Sequence, residues 1–367
     1  MDLFTLKRSK NYPWASNLTH WFAAAKRRMP WRETRDPYRI WLSEIMLQQT
    51  QVATVIPYYE RFLLKFPSVD KLAAAHQDEV LKLWAGLGYY SRARNLHRGA
   101  QAIVERFEAA MPRTPETIRE IPGIGDYTAG AILSIAFDLP EALVDGNVAR
   151  VFSRLLLLES DWRGGEGKKA VWKIAREAIA EAHAAGVNPG DYNQALMELG
   201  ATVCTPRSPH CSQCPIAEYC SARKAGVQDL YPKLKAKTAS PEWNLRAWVV
   251  RNNGKILFGQ RGDDGLFGGM WEVPTERLEV PAESALRPFA RMTHVLTHRV
   301  LNVAAIEIEL PEWRRRFSKN SDLTCWSGAY TKFRWLRIED ARNGSVALSA
   351  VQAKILALCA EKVPLFD

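Results

Sequence analysis

Apolar positions recur at intervals of three and four residues through most of the first 200 positions, a spacing that lines one face of an α-helix. The segments 16–28, 38–52, 57–66, 69–85, 91–108, 126–137, 147–158 and 168–185 carry this pattern, and a further helix ends near Gly200. Asp36-Pro37 and Thr114-Pro115 each set a capping residue before a proline suited to the first turn. From 241 onward the period changes. WNLRAWVV, the turn RNNG and KILFGQ predict a β-hairpin, 305–310 alternates apolar with acidic residues as a strand does, and 346–360 returns to helix. Between the two regimes VQDLYPKLKAKTAS has little apolar content, with Pro232 inside it and Pro241 just beyond. The expected organisation is an all-α part over 1–225, a linker over 226–240 and an α+β part over 241–367.

Composition fits this division. The chain has 367 residues, 47% hydrophobic and 25% charged, which is globular usage at a length that suits two domains. No stretch approaches the roughly 20 apolar residues of a membrane span, and the start MDLFTLKRSKNYPW lacks the apolar core of a secretory signal. A soluble, cytoplasmic protein is expected. The formal charge of +10, from 50 Lys and Arg against 40 Asp and Glu, favours polyanionic partners such as nucleic acid. No segment is a basic tail, so folding must assemble any such surface.

Three features carry candidate chemistry. Cys204, Cys211, Cys214 and Cys220 are separated by six, two and five residues in CTPRSPHCSQCPIAEYC, where four thiolates can close around one metal centre. Zinc and a [4Fe-4S] cluster both accept four thiolates, and spacing alone does not separate them. Cys325 and Cys359 lie apart and read as small buried hydrophobes. In the hairpin TPETIREIPGIGDYTAGAILSIAF, Gly123 and Gly125 let backbone N–H groups approach a ligand at a helix start, a phosphate site as readily as a plain helix–turn–helix connection. Asp145, in LVDGNVARVF, opens a helix whose dipole and free N–H groups favour the anion, as they would at an ordinary N-cap. Glu44, in YRIWLSEIMLQQTQV, has Ile40, Trp41 and Leu47 as helical neighbours, which disfavours its charged form unless it reaches solvent, Arg32 or Arg39. One carboxyl kept protonated and one ionised is the pair that glycosidic-bond cleavage requires.

IPGIGDYTAGAI, then VDGNVARV, then the Cys-x6-Cys-x2-Cys-x5-Cys run together resemble the helix-hairpin-helix DNA glycosylases that carry a [4Fe-4S] cluster. MPWRETRDPYRIWLSEIMLQQTQV, WAGLGYYSRARNL and DYNQALMELGATVCTPRSPHCSQCP are similar to the MutY-type adenine DNA glycosylases, and WVVRNNGKILFGQRGDDGLFGGMWEVPT to their C-terminal Nudix-like module. The resemblance implies a monomer acting on double-stranded DNA at the bacterial nucleoid, removing adenine mispaired with 8-oxoguanine or guanine. It makes Glu44 the acid that protonates adenine N7 and Asp145 the group that stabilises positive charge at C1′. Tyr127 and Asn147 would stand beside the reacting sugar. Trp31, Arg32 and Gln194 would line the adenine pocket, and Leu47, Gln48, Gln49 and Tyr89 would enter the helix stack. Gly123 and Gly125 would carry a backbone phosphate, and the loop bearing Arg207 would face DNA. The same resemblance sets Thr297 and His298 against the base opposite the adenine.

Two departures accompany the resemblance. The family usually has Phe-Ser-His where Leu296-Thr297-His298 stands, and the acidic run that binds metal in Nudix hydrolases is missing after Gly269, which argues against pyrophosphatase activity. Rival readings are an endonuclease III-type lyase, which needs a lysine where Tyr127 stands, and a non-catalytic Fe-S protein, which needs no paired carboxylates.

Overall fold

A computed structural model describes residues 14–235, 240–279, 287–317 and 329–360, so Cys325 lies outside the described residues. The chain divides into two compact units, one of 1–73 with 98–236 and the other of 74–97 with 237–367. The division cuts through a helix and sets 74–97, a helical stretch, with the C-terminal unit.

The first unit is all helical among the described residues. Its helices are α1 (Trp14–Ala25), α2 (Pro37–Leu47), α3 (Val52–Lys65) and α4 (Val69–Ala73), followed after the 74–97 excursion by the end of α6 (Ser91–Phe107). Then come α7 (Pro115–Ile118), α8 (Asp126–Phe137), α9 (Gly146–Leu156), α10 (Gly165–Ala184) and α11 (Pro189–Thr202), while α5 (Gln77–Trp84) belongs to the other unit. Asp36 and Thr114 cap α2 and α7 through their side chains, as their positions before proline predict. α11 packs on α1, α8 and α9, and α2 packs on α8. The core between them is built from apolar side chains such as Leu18, Phe22, Phe152, Ile179 and Leu196.

Three expected helices differ. The helix expected over 38–52 stops at Leu47, because Gln48 leaves helical backbone (φ −56°, ψ 111°) and Gln49 takes a left-handed conformation (φ 57°). The one expected over 69–85 is two helices, since His76 adopts extended backbone and its ring accepts the Asp78 N–H as an N-cap. α3 begins at Val52, ahead of the expected 57, with Pro57 inside it. The stretch 226–240, read as a linker, is tied down over its first part: Arg154 donates to the carbonyls of Gln228 and Tyr231, and Asp161 accepts from Lys235 N–H.

The second unit holds a seven-stranded sheet: β1 (Glu242–Asn252), β2 (Lys255–Arg261), β3 (Trp271–Glu272), β4 (Thr275–Leu278), β5 (Ala290–Leu296), β6 (Arg299–Glu309) and β7 (Tyr330–Leu336). The main path runs β3-β2-β1-β6-β5, with β4 beside β1 and β7 beside β2; among these strands β1 and β6 run parallel and the other pairs antiparallel. β1 and β2 form the expected hairpin, turning at Asn253-Gly254, both at positive φ. Residues of β1 alternate between two cores: Leu245, Ala247 and Val249 join Val351, Ile355 and Leu356 of the helix Ala350–Ala360. Trp248 and Val250 face the other way, with Ile306, Ile308 and Trp313. Cys359 is buried in the first of these cores, as expected.

Residues 74–97 are fastened within this unit. Gln77 bonds Asp263 (2.9 Å), Gln260 bonds Asp78 (2.8 Å), Arg94 donates to the Gly268 carbonyl and the Tyr90 hydroxyl reaches the Leu348 carbonyl.

Candidate active site

Glu44 stands on α2 between Ser43 and Ile45, all three buried, its own residue 6% exposed. Tyr127, in the first turn of α8, donates its hydroxyl to Glu44 Oε2 at 2.7 Å and has Met197 Sδ at 3.3 Å. Burial is the largest influence on Glu44 and, with the negative charge of Asp145, pushes its carboxyl up to about 7 against the pull of Tyr127 and Arg32. Arg32 and Arg39 do not neutralise it: Arg32 pairs with Glu198, and Arg39 lies 3.9 Å from Asp36. Burial likewise holds the Tyr127 phenol well above its ordinary value, so it stays a donor.

Asp145 caps α9, accepting from Val148 N–H at 2.7 Å, and its other oxygen accepts from Asn147 Nδ2 at 2.9 Å. Asn147 in turn accepts from Arg150, which also donates to the carbonyls of Gly200 and Cys204. The expected contrast between the two carboxyls is corrected here. Burial raises Asp145 too, against the bonds from Val148 and Asn147 and the charge of Arg150. A cap motif reveals the donors at a helix start but not the walls that shut out water. What still distinguishes the pair is donor number: bonds from both Val148 and Asn147 favour the Asp145 anion, and one, from Tyr127, reaches Glu44.

Both carboxyls line one cavity of about 700 Å³, together with Trp31, Arg32, Leu47, Gln48, Gln49, Tyr127, Asn147 and Gln194. The structure therefore brings together every sequence-predicted residue of the catalytic and adenine-pocket sets. Trp31 is buried, edge-on to Tyr59. Glu198, Arg27 and Met197 also line the cavity and were not anticipated. Glu198 is buried and bonds Arg27 and Arg32 at 2.7 and 2.9 Å; burial alone would raise it, but these bonds win and hold it at about 2. The signal available was its position four residues after Gln194, one turn along the same face.

A second hollow of about 410 Å³ shares Gln48, Tyr127 and Val144 with the first and is also lined by Gly123, Gly125, Trp162 and Lys168. Gly123 has φ 84°, a left-handed conformation that a side chain would strain, and a Cβ on Gly125 would meet open space. The backbone there is open to a ligand at the N-terminus of α8.

Cys204, Cys211, Cys214 and Cys220 are free thiols that share one neighbourhood: burial first, then the other three cysteines, push Cys214 up to about 11. Among the described residues no three His, Cys, Asp or Glu groups close around a single ion. Four thiols in one neighbourhood supply the donor set that an iron-sulfur cluster takes. The buried Arg154 guanidinium lies 3.3 Å from Cys204 Sγ.

In the second unit Thr297 and His298 are exposed and form the two-residue turn between β5 and β6, both within a hairpin of which only the second strand was expected. Tyr89 has positive φ (48°) in a loop held by Trp84 Nε1 and Arg92, which bond the carbonyls of Leu87 and Gly88, and its hydroxyl bonds that of Thr297.

Residues 42–180 match the HhH-GPD superfamily of base excision DNA repair proteins, 204–220 the iron-sulfur binding domain of endonuclease III, and 246–358 the NUDIX domain. The cofactor is accordingly a [4Fe-4S] cluster. Among curated proteins the chain is 34% identical to the adenine DNA glycosylase of Rattus norvegicus, covering 90% of this chain and 75% of that protein. It is 30% identical to that of Buchnera aphidicola, covering 84% and 90%. With the Mus musculus protein identity is 40%, over 73% of this chain but only 61% of the longer relative. A thermostable thymine-DNA glycosylase of known structure superposes with TM-score 0.51 and 29% identity, over 59% of this chain and 97% of that one. No helix among the described residues is long and apolar enough to cross a membrane. A buried acid and a capped aspartate facing one cavity, beside a cysteine loop and a glycine hairpin, agree with these likenesses, and the chain belongs to the adenine DNA glycosylases.

Proposed function

We propose that this protein removes adenine mispaired with 8-oxoguanine or guanine from duplex DNA, as a monomer, by hydrolysing the N-glycosidic bond. The observation that carries the reading is that Glu44, raised to about 7, and Asp145 line the same cavity. A base inside a duplex cannot reach such a cavity, so the nucleotide must be extruded. Leu47 ends α2 and, with Gln48 and Gln49 after it, lines the cavity, suited to filling the gap left in the stack; Tyr89, in a loop of the second unit, is given the same part by its planar side chain. Trp31, Arg32 and Gln194 hold the base, and protonated Glu44 gives its proton to N7, turning adenine into a neutral leaving group. As the C1′–N9 bond breaks, positive charge grows at C1′ and the O4′ oxygen, and the Asp145 anion stabilises it until water adds to C1′ and loses a proton, with Asn147 fixing that carboxylate and Tyr127 orienting Glu44. The N–H groups at Gly123 and Gly125 hold a backbone phosphate. Cys204, Cys211, Cys214 and Cys220 hold the cluster, which staples a loop with little apolar content of its own, and Arg207 in that loop meets phosphate.

Incubation with duplexes carrying A opposite 8-oxoguanine, G, C or T tests the reading. Alkali-labile sites are expected opposite the first two; their absence from all four would remove the function. Strand cleavage should not accompany base loss, since among the described residues no lysine lines the cavity and Tyr127 offers no amine. Borohydride should trap no efficient covalent complex, and one that vanishes when a single lysine is replaced would favour the lyase reading.

Thr297 and His298 read the opposite base. An exposed two-residue turn on a rigid hairpin can present a hydroxyl and an imidazole to the N7–H and O8 of 8-oxoguanine. In a Thr297→Val/His298→Ala variant the ratio of excision rates opposite 8-oxoguanine and guanine should fall about fivefold, the worth of one hydrogen bond near 1 kcal/mol. An unchanged ratio would leave this turn without a reading role.

A further inference from the structure

Arg154 is among the largest fully buried side chains of the first unit, 2% exposed, in the last turn of α9. Among the described residues it has no carboxylate partner. Its donors go to the carbonyls of Thr205 (2.7 Å), Pro206 (3.2 Å), Gln228 (2.9 Å) and Tyr231 (3.1 Å), and one goes to Cys204 Sγ (3.3 Å). Carbonyl dipoles solvate a guanidinium but leave its charge uncompensated, and a buried cation without an anion is costly. The anion that this site supplies is the cluster itself: four thiolates around a [4Fe-4S] core of charge +2 sum to −2. Guanidinium geometry also makes the N–H···S bond directional.

We propose that Arg154 is the buried counter-cation of the iron-sulfur cluster and, through its bond to Cys204 Sγ, sets the cluster's reduction potential. The inference rests on the cysteine site and not on the excision chemistry. A positive charge and a hydrogen bond to a ligand sulfur both stabilise the more electron-rich state of the cluster, so they raise its potential. Arg150 differs, because its donors go to Asn147 and to carbonyls and none goes to a cysteine sulfur.

The test uses full-length holoprotein, wild type against Arg154→Met and Arg154→Lys, with iron content, the visible absorption band and the midpoint potential at an electrode as readouts. Arg154→Met should move the potential negative, so that at the wild-type midpoint oxidised cluster outweighs reduced about tenfold, which for one electron is 59 mV. Arg154→Lys, which keeps the charge and loses the fork, should shift less. Loss of iron in Arg154→Met with retention in Arg154→Lys also supports the counter-cation. Wild-type potentials in both variants would overturn the proposal. So would loss of iron in both, which would make the fork a staple for the loop carbonyls and its charge incidental. Adenine excision, measured in parallel, reports on the glycosylase reading separately.

Discussion

Glu44→Gln should lower single-turnover adenine excision by on the order of 10²- to 10⁴-fold, the usual worth of a positioned general acid, while leaving duplex binding intact. The amide keeps the shape of the side chain and can still accept from Tyr127, but it has no proton to give N7. The wild-type rate should fall as pH rises through about 7, where the raised carboxyl gives up its proton, and the variant should lose this limb. Stability should move the other way. A carboxyl whose folded value lies above its unfolded one stabilises the fold fully at low pH, and that contribution disappears between about 4.5 and about 7. At pH 8 the glutamine variant should therefore melt higher than wild type. Near-normal excision by the variant would remove Glu44 from the chemistry, and so would an unchanged alkaline limb. Asp145→Asn should be comparably slow, since the amide keeps the cap acceptor for Val148 and loses the charge proposed to stabilise C1′.

Glu198→Ala should cost about 3 kcal/mol of stability, because removing one member of a buried ion pair strands its partners. Arg32 is nearly as buried as Glu198, whereas Arg27 is half exposed and recovers part of its solvation. Chemical denaturation at pH 7 measures this loss. The sign with pH is opposite to that of Glu44: a carboxyl held at about 2 contributes fully above its unfolded value of 4.5, and the contribution drains away as pH falls from there towards 2. The gap between wild type and Glu198→Ala should thus narrow in acid. A gap that stays constant from pH 7 to pH 3 would show that the arginines do not depend on the Glu198 charge. Freed from Glu198, Arg32 would also lose the orientation in which it lines the cavity, and adenine binding should weaken.

The helices and their order were legible because the three-and-four spacing survives wherever one face is buried, and the caps at Asp36 and Thr114 mark their own starts. The break at His76 was not, because the segment 69–85 keeps its apolar spacing on both sides of the interruption. β5 was missed for a different reason: it lies at the sheet edge, where only every second residue is covered, and its sequence ARMTHVL shows no clean alternation of apolar and polar residues. At the site, the residues proposed to act on substrate stood in recognisable motifs. Glu198 did not, because a carboxylate becomes structural only once two arginines 166 and 171 positions away are folded against it. The upward shift of Asp145 was hidden likewise, since solvent exclusion belongs to the assembled cavity.

The grouping of 74–97 with the C-terminal sheet bears on how such enzymes can be recombined. A chimera joined at the 226–240 boundary would import a foreign sheet while keeping the native loop that carries Tyr89. Gln77, Asp78, Tyr90 and Arg94 would then face surfaces lacking Asp263, Gln260 and the carbonyls they bond. The transplantable piece is discontinuous: a graft that carries its own 74–97 along with its sheet retains the fit, and one that does not must rebuild four polar contacts at once.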